Sequence, residues 1–122
     1  KGLVVDDEIV NRVVASKHLE NLGFEVDQAV DGKDSVVKFK EQKYDLIIME
    51  LQVPELDGFE ATEEIRQLEQ ESGQKQVLIL ALSASILGTV WEKCESVGIN
   101  GYLGKPFRSE ELKQKLQELM SP

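Results

Sequence analysis

Acidic side chains stand directly after two apolar runs of the sequence. Asp6 and Asp7 follow the run Leu3–Val5, and Glu50 follows the run Leu46–Met49. Carboxylate oxygens are ligands that Mg²⁺ prefers, whereas three neighbouring carboxylates without a cation repel one another and raise one another's pKa. These three acids are therefore candidate ligands of a divalent cation, provided that the fold brings them together.

A hydroxyl group and an ammonium group follow two later apolar runs. Ser83 comes directly after Val77–Leu82, and Lys105 comes shortly after Ile99–Leu103. The ammonium group of Lys105 could bind one phosphoryl oxygen, and the hydroxyl of Ser83 could donate a hydrogen bond to another. Together with a metal ion and a carboxylate nucleophile, these groups are suited to phosphoryl transfer.

Alternating strands and helices would bring these groups together. A fifth apolar run, Phe24–Val30, completes the set, and amphipathic segments separate the runs. Leu46–Met49 and Val77–Leu82 are nearly continuous, which is typical of strands buried on both faces of a parallel sheet. The pattern predicts an α/β fold of five βα units with right-handed crossovers. In such a sheet the chemistry lies at the carboxyl ends of the strands, so we expect the polar groups to converge there.

The first predicted helix carries a regular apolar stripe. Val10, Val14, His18 and Leu22 are spaced four residues apart, and Gly23 follows as a helix stop. The spacing predicts that this stripe packs on the core. His18 is accordingly interpreted as a partly buried packing residue and not as a phosphohistidine donor.

Composition and charge exclude several classes of function. The chain has 122 residues and a formal net charge of -9, whereas a nucleic-acid-binding surface requires a basic face. No apolar run approaches the roughly 20 residues of a membrane span, and no signal peptide is found. The single cysteine, Cys94, indicates a reducing compartment, so we expect a cytoplasmic location without direct membrane contact.

The length predicts one domain over residues 1–122, and the start at Lys1 instead of Met indicates a piece of a longer protein.

As a set, the motifs after the strands resemble those of receiver domains of two-component signalling. The matching segments are Val4–Glu8, Tyr44–Met49, Pro54, Asp57–Gly58, Ala81–Ala84 and Gly101–Pro106. The resemblance covers the whole chain. It implies a flavodoxin-like (βα)5 sandwich whose five parallel strands have the order 2-1-3-4-5.

The resemblance also implies roles for particular residues. Asp6 and Asp7 would bind Mg²⁺, together with the backbone carbonyl of Gln52. Ser83 and Lys105 would contact the phosphoryl group. The expected partner is a histidine kinase or a histidine phosphotransfer domain.

One position departs from the family pattern. The phosphoacceptor of receivers is an aspartate, and Glu50 occupies that position here, where it would also be a metal ligand. The alignment is secure because Pro54 and Gly58 lie at the family's offsets of four and eight residues, although Val53 replaces the usual methionine. One additional methylene moves the carboxylate by roughly an ångström, a scale at which phosphoryl transfer is sensitive. The longer side chain could instead give Ser83 and Lys105 a permanent negative partner, whether Glu50 is natural or introduced.

An output surface and a parent protein are also implied by the resemblance. Tyr102 would be the aromatic residue that turns inward in the active state. Trp91 on the fourth predicted helix is a candidate partner contact, or simply a covering side chain. A homodimer could form through the fourth helix, fifth strand and fifth helix.

The resemblance also bears on the parent protein. The opening Asp6–Arg12 and the segment Glu92–Cys94 followed by Gly98 resemble receivers of hybrid histidine kinases, with a stand-alone response regulator as the alternative.

Three functions stay open on the sequence alone. The first is a regulatory module that no longer accepts phosphate and is biased by Glu50; such a domain alone is not an enzyme. The second is a receiver that still accepts phosphate, on Glu50 or a neighbouring acid, with Mg²⁺. The third is an unrelated Mg²⁺-dependent phosphohydrolase, against which the first strand is followed by no Asp-x-Asp motif. The sequence also argues against a nucleotide-binding switch, because no Gly-x-x-x-x-Gly-Lys-Ser/Thr loop occurs.

Overall fold

The computed structural model describes residues 1–52, 57–83 and 88–120. Within these ranges five strands alternate with five helices. The strands are β1 (Gly2–Val5), β2 (Val26–Ala29), β3 (Leu46–Glu50), β4 (Leu78–Ser83) and β5 (Gly101–Gly104). The helices are α1 (Ile9–Asn21), α2 (Gly32–Glu41), α3 (Gly58–Ser72), α4 (Gly88–Val97) and α5 (Ser109–Met120). Each predicted strand is therefore confirmed, with shifts of at most two residues at its ends.

The five strands form one sheet in the order β2-β1-β3-β4-β5, and all neighbouring strands are parallel. The predicted flavodoxin-like fold with strand order 2-1-3-4-5 is thus confirmed. The chain runs outward from β1 to β2 and then returns past β1 to β3. This reversal leaves a crevice beyond the carboxyl ends of β1 and β3, which is where ligands bind in open α/β sheets.

The core consists of two apolar layers, one on each face of the sheet. One layer joins residues of the sheet to α2, α3 and α4, and the other joins the sheet to α1 and α5. Every residue of β1 and β3 is buried. The nearly continuous apolar run of β3 follows from this burial on both faces, because neither face of the central strand meets water.

The face of α1 that packs on the sheet differs from the predicted one. Val10, Val14 and Leu22 are 68%, 47% and 37% exposed, so the expectation that their stripe contacts the core was wrong. The buried side chains of α1 are instead those of Ala15, Ser16 and Leu19. Spacing could not identify this face, because α1 carries apolar residues around much of its circumference and therefore has no single apolar stripe.

His18 is partly buried, as predicted. Its ring packs against the ring of Phe107, with 5.7 Å between the ring centroids and a tilt of 56°. Phe107 lies in the segment between β5 and α5. The contact therefore joins α1 to the segment that follows Lys105.

Arg66 of α3 ties the C-terminal end of α4 to its surroundings. Its Nε and Nη2 atoms donate hydrogen bonds to the carbonyl oxygen of Gly98 at 3.1 and 2.7 Å. Its Nη1 atom donates to both carboxylate oxygens of the buried Glu69, at 2.9 and 3.1 Å. Gly98 ends the helix with a φ of 97°, a conformation that favours glycine. This end of α4 lies at the edge of the sheet opposite the carboxyl ends of the strands.

None of the helices within the described ranges combines the length and apolar character that crossing a bilayer requires.

Candidate functional site

Acidic and basic side chains converge beyond the carboxyl ends of β1, β3 and β5. Asp6 directly follows β1, Glu50 is the last residue of β3, and Lys105 directly follows β5. The register aligns Val5 with Met49 and Ser83 with Gly104, which brings the strand ends level with one another. The predicted convergence is therefore observed for these three charged residues.

Lys105 forms ion pairs with both carboxylates. Its Nζ atom lies 3.0 Å from Oδ2 of Asp6 and 2.5 Å from Oε2 of Glu50. Burial lowers the pKa of Lys105, but the ion pairs with Glu50 and Asp6 outweigh burial, and the net pKa is raised. Lys105 is therefore a cation throughout the neutral range.

Burial dominates the electrostatics of Glu50. The low-dielectric surroundings raise the pKa of its carboxyl group, and the attraction of Lys105 offsets only part of this rise. Oε1 accepts a hydrogen bond from the backbone N–H of Gln52 at 3.3 Å. Oε2 is shielded from solvent and accepts no hydrogen bond from any described residue, although Nζ of Lys105 is close to it. The contact is therefore an ion pair without the geometry of a hydrogen bond.

Asp6 is buried and held at both of its carboxylate oxygens. Oδ1 accepts a hydrogen bond from the backbone N–H of Glu8 at 3.0 Å, and Oδ2 is paired with Lys105. The guanidinium group of Arg12 donates to the backbone carbonyl of Asp6 at 2.9 Å. This contact could not be predicted from the sequence, and it attaches the first turns of α1 to the residue that follows β1.

The first turn of α3 abuts the end of β3. A Cβ atom at Gly58 would lie 2.8 Å from the carbonyl oxygen of Glu50 and 2.8 Å from Cα of Leu51. Only glycine allows so close an approach of helix and strand. The side chain of Asp57 caps the helix by accepting a hydrogen bond from the N–H of Glu60 at 2.9 Å. Asp57 and Gly58 thus set the position of the backbone that carries Glu50.

Ser83 is the last residue of β4, and its side chain is buried. Its carbonyl oxygen accepts a hydrogen bond from the backbone N–H of Lys105 at 2.9 Å. Ser83 therefore lies at the same edge of the sheet as Lys105, as predicted. Val53, Pro54 and Ala84, which belong to the sequence motifs, lie outside the described residues.

The predicted metal ligands have suitable donor chemistry. Asp6 and Glu50 supply hard oxygen atoms, and the buried Oε2 of Glu50 accepts no hydrogen bond from a described residue, which suits Mg²⁺. Asp7 and the side chain of Gln52 are exposed. Over residues 1–52, 57–83 and 88–120, however, no three His, Cys, Asp or Glu side chains are grouped closely enough to hold a metal ion. A cation bound by these residues would compete with Lys105 for Asp6 and Glu50.

The two aromatic residues of the predicted output surface contact each other. Tyr102 lies on β5 with 36% of its surface exposed, and Trp91 lies on α4. Their ring centroids are 5.2 Å apart and the rings are tilted by 50°. The sequence indicated both residues but not this contact, because α4 and β5 are separate elements whose relative position depends on the whole fold.

A groove of about 330 Å³ borders the site between α1 and the segment after β5. Its lining residues are Asp6, Asn11, Val14, Leu82, Lys105, Pro106 and Phe107. The groove therefore has an apolar wall, with Asp6 and Lys105 at its polar end. On α1 it is lined by Asn11 and Val14, and Val14 is one of several exposed apolar side chains of that helix, with Ile9, Val10 and Val13. The spacing of residues did not predict this exposed surface. The signal for it is that α1 carries more apolar residues than one buried face can accommodate.

Comparison with known proteins places these observations in a family. Residues 3–117 match the family described as response regulator receiver domain. Hybrid signal transduction histidine kinase L of Dictyostelium discoideum is 32% identical over 121 residues, which covers 97% of this chain and 7% of that kinase. The chain spans 6 to 14% of the length of the curated histidine kinases that it matches.

Solved structures agree with this assignment. The receiver domain of sensor histidine kinase PA1611 from Pseudomonas aeruginosa, which has a magnesium ion in its active site cleft, is 38% identical with a TM-score of 0.84; the match covers 99% of this chain and 97% of that one. A chain in the complex of the Saccharomyces cerevisiae phosphotransfer protein Ypd1 with the receiver domain of Ssk1 is 33% identical. Its TM-score is 0.89, and the match covers 97% of this chain and 86% of that one. The chain therefore belongs to the response regulator receiver domain family and is homologous to the receiver domains of hybrid histidine kinases.

Proposed function

We propose that this chain is a phosphorelay receiver domain in which Glu50 replaces the phosphoacceptor aspartate, so that phosphorylation is impaired and partly mimicked. The observation that carries the proposal is the 2.5 Å ion pair between Oε2 of Glu50 and Nζ of Lys105. In receivers, the lysine at the position of Lys105 contacts the phosphoryl group. Here a fixed negative charge already engages that lysine.

Impaired transfer follows from the placement of the Glu50 carboxylate. In-line attack on a phosphoryl donor requires an oxygen positioned to within a fraction of an ångström. Glu50 is one methylene longer than aspartate, and its Oε2 atom is buried against Lys105. An incoming phosphoryl group would have to displace this ion pair before the carboxylate could attack.

The mimicry is partial for a reason of charge. A phosphoaspartate carries nearly two negative charges and three phosphoryl oxygens, whereas Glu50 carries one charge on two oxygens. It can engage Lys105 but offers less to Ser83. We therefore propose that Glu50 biases the domain toward its active arrangement without fixing it, and that Tyr102 takes both inward and outward positions.

Mg²⁺ is the proposed cofactor, bound by Asp6, Asp7, Glu50 and the backbone carbonyl of Gln52. The magnesium ion in the PA1611 receiver supports this assignment by homology. When bound, such an ion would neutralise the charge that develops on a transferring phosphoryl group. We expect weaker binding than in a receiver with aspartate at position 50, because Lys105 competes for two of these ligands.

The proposed partner is a histidine kinase or a histidine phosphotransfer domain. The complex of Ypd1 with the Ssk1 receiver shows a relative bound to such a phosphotransfer protein. On this chain the exposed apolar side chains of α1 and the adjoining groove lie beside the acidic site. A partner that seats on this surface would bury exposed apolar area and place its own histidine near the strand ends.

The parent protein is proposed to be a cytoplasmic or membrane-anchored hybrid histidine kinase. This proposal follows from its relatives, which are histidine kinases many times longer than the chain. A homodimer through the face formed by α4, β5 and α5 is a further prediction for that protein.

A second candidate function is a receiver that still accepts phosphate, within a hybrid kinase or a stand-alone response regulator. The observation in its favour is that Asp6, Ser83 and Lys105 lie together at one edge of the sheet, where Lys105 contacts both of the other residues. In this case Glu50 or a neighbouring acid would be the acceptor.

Phosphodonor labelling separates the two functions. The protein and its Glu50→Asp and Glu50→Gln variants are incubated with acetyl phosphate and Mg²⁺, and intact mass is measured before and after hydroxylamine. We expect no stable acyl phosphate on the protein or on Glu50→Gln, and a hydroxylamine-labile phosphate on Glu50→Asp. A labile phosphate on the unaltered protein would establish the second function. An inert Glu50→Asp variant would show that the site lacks more than the aspartate.

A further inference from the structure

The contact between Trp91 and Tyr102 joins the output surface to the strand that leads to Lys105. Along β5 the side chains alternate, so that Leu103 is buried while Tyr102 is exposed. Tyr102 turns onto α4 and packs on Trp91, with 5.2 Å between ring centroids. Trp91 in turn packs against the apolar layer beneath α4. The exposed position of Tyr102 is therefore supported from one side by a residue that the core holds in place.

The helix that carries Trp91 is attached to α3. Arg66 holds the C-terminal end of α4 through the carbonyl oxygen of Gly98. The ammonium group of Lys93 lies 4.4 Å from the ring centre of Phe59, which gives α4 a second attachment to α3. Trp91 is thus carried by a helix attached to α3 at two points, and it does not simply follow Tyr102 when that ring moves.

The path from Tyr102 to the acidic site is short. Tyr102 pairs with Ala81 on β4, and Gly104 pairs with Ser83. The N–H of Lys105 bonds to the carbonyl oxygen of Ser83 at 2.9 Å. Tyr102 is therefore only two or three residues along the backbone, or across one strand pair, from Ser83 and Lys105, which would contact a phosphoryl group.

We propose that Trp91 is a positioning residue that holds the ring of Tyr102 in its exposed position and so opposes the inward turn of that ring. The proposal rests on the proposed function, in which the acidic site favours the inward position. An aromatic pair of this geometry changes a population ratio by about two- to tenfold. The bias from Trp91 is thus comparable in size with a partial bias from Glu50, and the two act in opposite directions.

The test measures the side-chain rotamers of Tyr102 by three-bond NMR couplings in the whole chain. In the unaltered protein we expect nuclear Overhauser contacts between the two rings. In Trp91→Ala the ratio of inward to exposed rotamers should rise by about two- to tenfold. Trp91→Phe keeps an aromatic ring and should restore most of the exposed population, and it serves as the second variant if the alanine variant folds poorly. A residue that only fills space would not alter this ratio selectively.

Glu50→Gln, measured alongside, separates this proposal from the proposed function. A changed rotamer ratio in Trp91→Ala with none in Glu50→Gln would support the role of Trp91 and count against mimicry by Glu50. A changed ratio in Glu50→Gln with none in either Trp91 variant would overturn the role of Trp91 and leave the proposed function standing. Absence of contacts between the two rings in the unaltered protein would overturn it as well.

Discussion

At the scale of single residues, the ion pairs of Lys105 decide what the acidic site can bind. One ammonium group lies within 3.0 Å of Asp6 and 2.5 Å of Glu50. The positive charge of Lys105 therefore competes with Mg²⁺ for these two carboxylates. Because all three side chains are largely shielded from water, their interaction is screened less than a surface ion pair.

Removal of Lys105 should strengthen Mg²⁺ binding. In Lys105→Gln we expect an affinity about tenfold higher, because the metal no longer competes with a neighbouring cation at a short distance. The measurement is a Mg²⁺ titration followed by the amide shifts of Asp6, Asp7 and Gln52. Lys113→Gln is the matched control, since it removes the same charge from an exposed position on α5. Equal affinities in the two variants would contradict competition by Lys105.

At the scale of secondary-structure elements, the close packing of α3 on the end of β3 sets the position of Glu50. Gly58 permits this packing because a Cβ atom there would overlap the backbone of Glu50 and Leu51. The amide of Gly58 also donates a hydrogen bond to the carbonyl oxygen of Leu51 at 3.0 Å. Helix and strand thus meet backbone to backbone, and no side chain can rearrange to relieve an added atom.

Gly58→Ala should therefore destabilise the protein. We expect a loss of about 1–3 kcal/mol in the free energy of unfolding, the usual cost of overpacking, measured by urea denaturation. Gly104→Ala is the control, because a Cβ atom at Gly104 meets nothing within 4 Å. That variant should change stability by less than about 0.5 kcal/mol. If both variants lose the same stability, the contact of Gly58 with β3 is not the cause.

The sequence predicted elements better than contacts between elements. The strands were recognisable because Leu46–Met49 and Val77–Leu82 are apolar on both faces, and this property depends only on local composition. The buried face of α1 was mispredicted because Val10 and Val14 satisfy the same spacing as core residues. The pairing of Trp91 with Tyr102 and the close approach at Gly58 depend on the distance between separate elements. No local pattern encodes such a distance.

At the scale of the whole molecule, polar contacts at the opposite edge of the sheet stabilise the fold away from the candidate site. The hydroxyl of the buried Tyr44 donates a hydrogen bond to Oδ2 of Asp27 at 2.7 Å. Burial raises the pKa of Tyr44 well above its ordinary value, and the bond to Asp27 adds to this rise. The same hydrogen bond lowers the pKa of Asp27. The contact links β2 to the segment that precedes β3.

This contact predicts a particular loss of stability in alkali. Above about pH 10 the unfolded chain releases the Tyr44 proton while the folded chain keeps it, so the unfolded state binds fewer protons and stability falls as pH rises. Tyr44→Phe has no such proton to release. Between pH 9 and roughly pH 11 we expect the unaltered protein to lose about 1 kcal/mol more than the variant, by urea denaturation at each pH. Parallel curves would contradict the assignment, since the lysine titrations are common to both proteins.

The bonds from Arg66 to Gly98 give α4 a fixed point at one end, whereas the second attachment, Lys93 on Phe59, is made by a long side chain that can follow a small tilt of the helix. The helix can therefore tilt about its C-terminal end. With a rise of about 1.5 Å per residue, Trp91 lies roughly 10 Å from this pivot and the first turn of α4 roughly 15 Å from it. A tilt of about 5° would move the first turn by a little over 1 Å and leave the last turn nearly still, by the geometry of a rigid rod of this rise. A partner that binds the first turn of α4 would therefore meet a surface that shifts by more than 1 Å, whereas a partner that binds the last turn would meet a nearly unchanged surface.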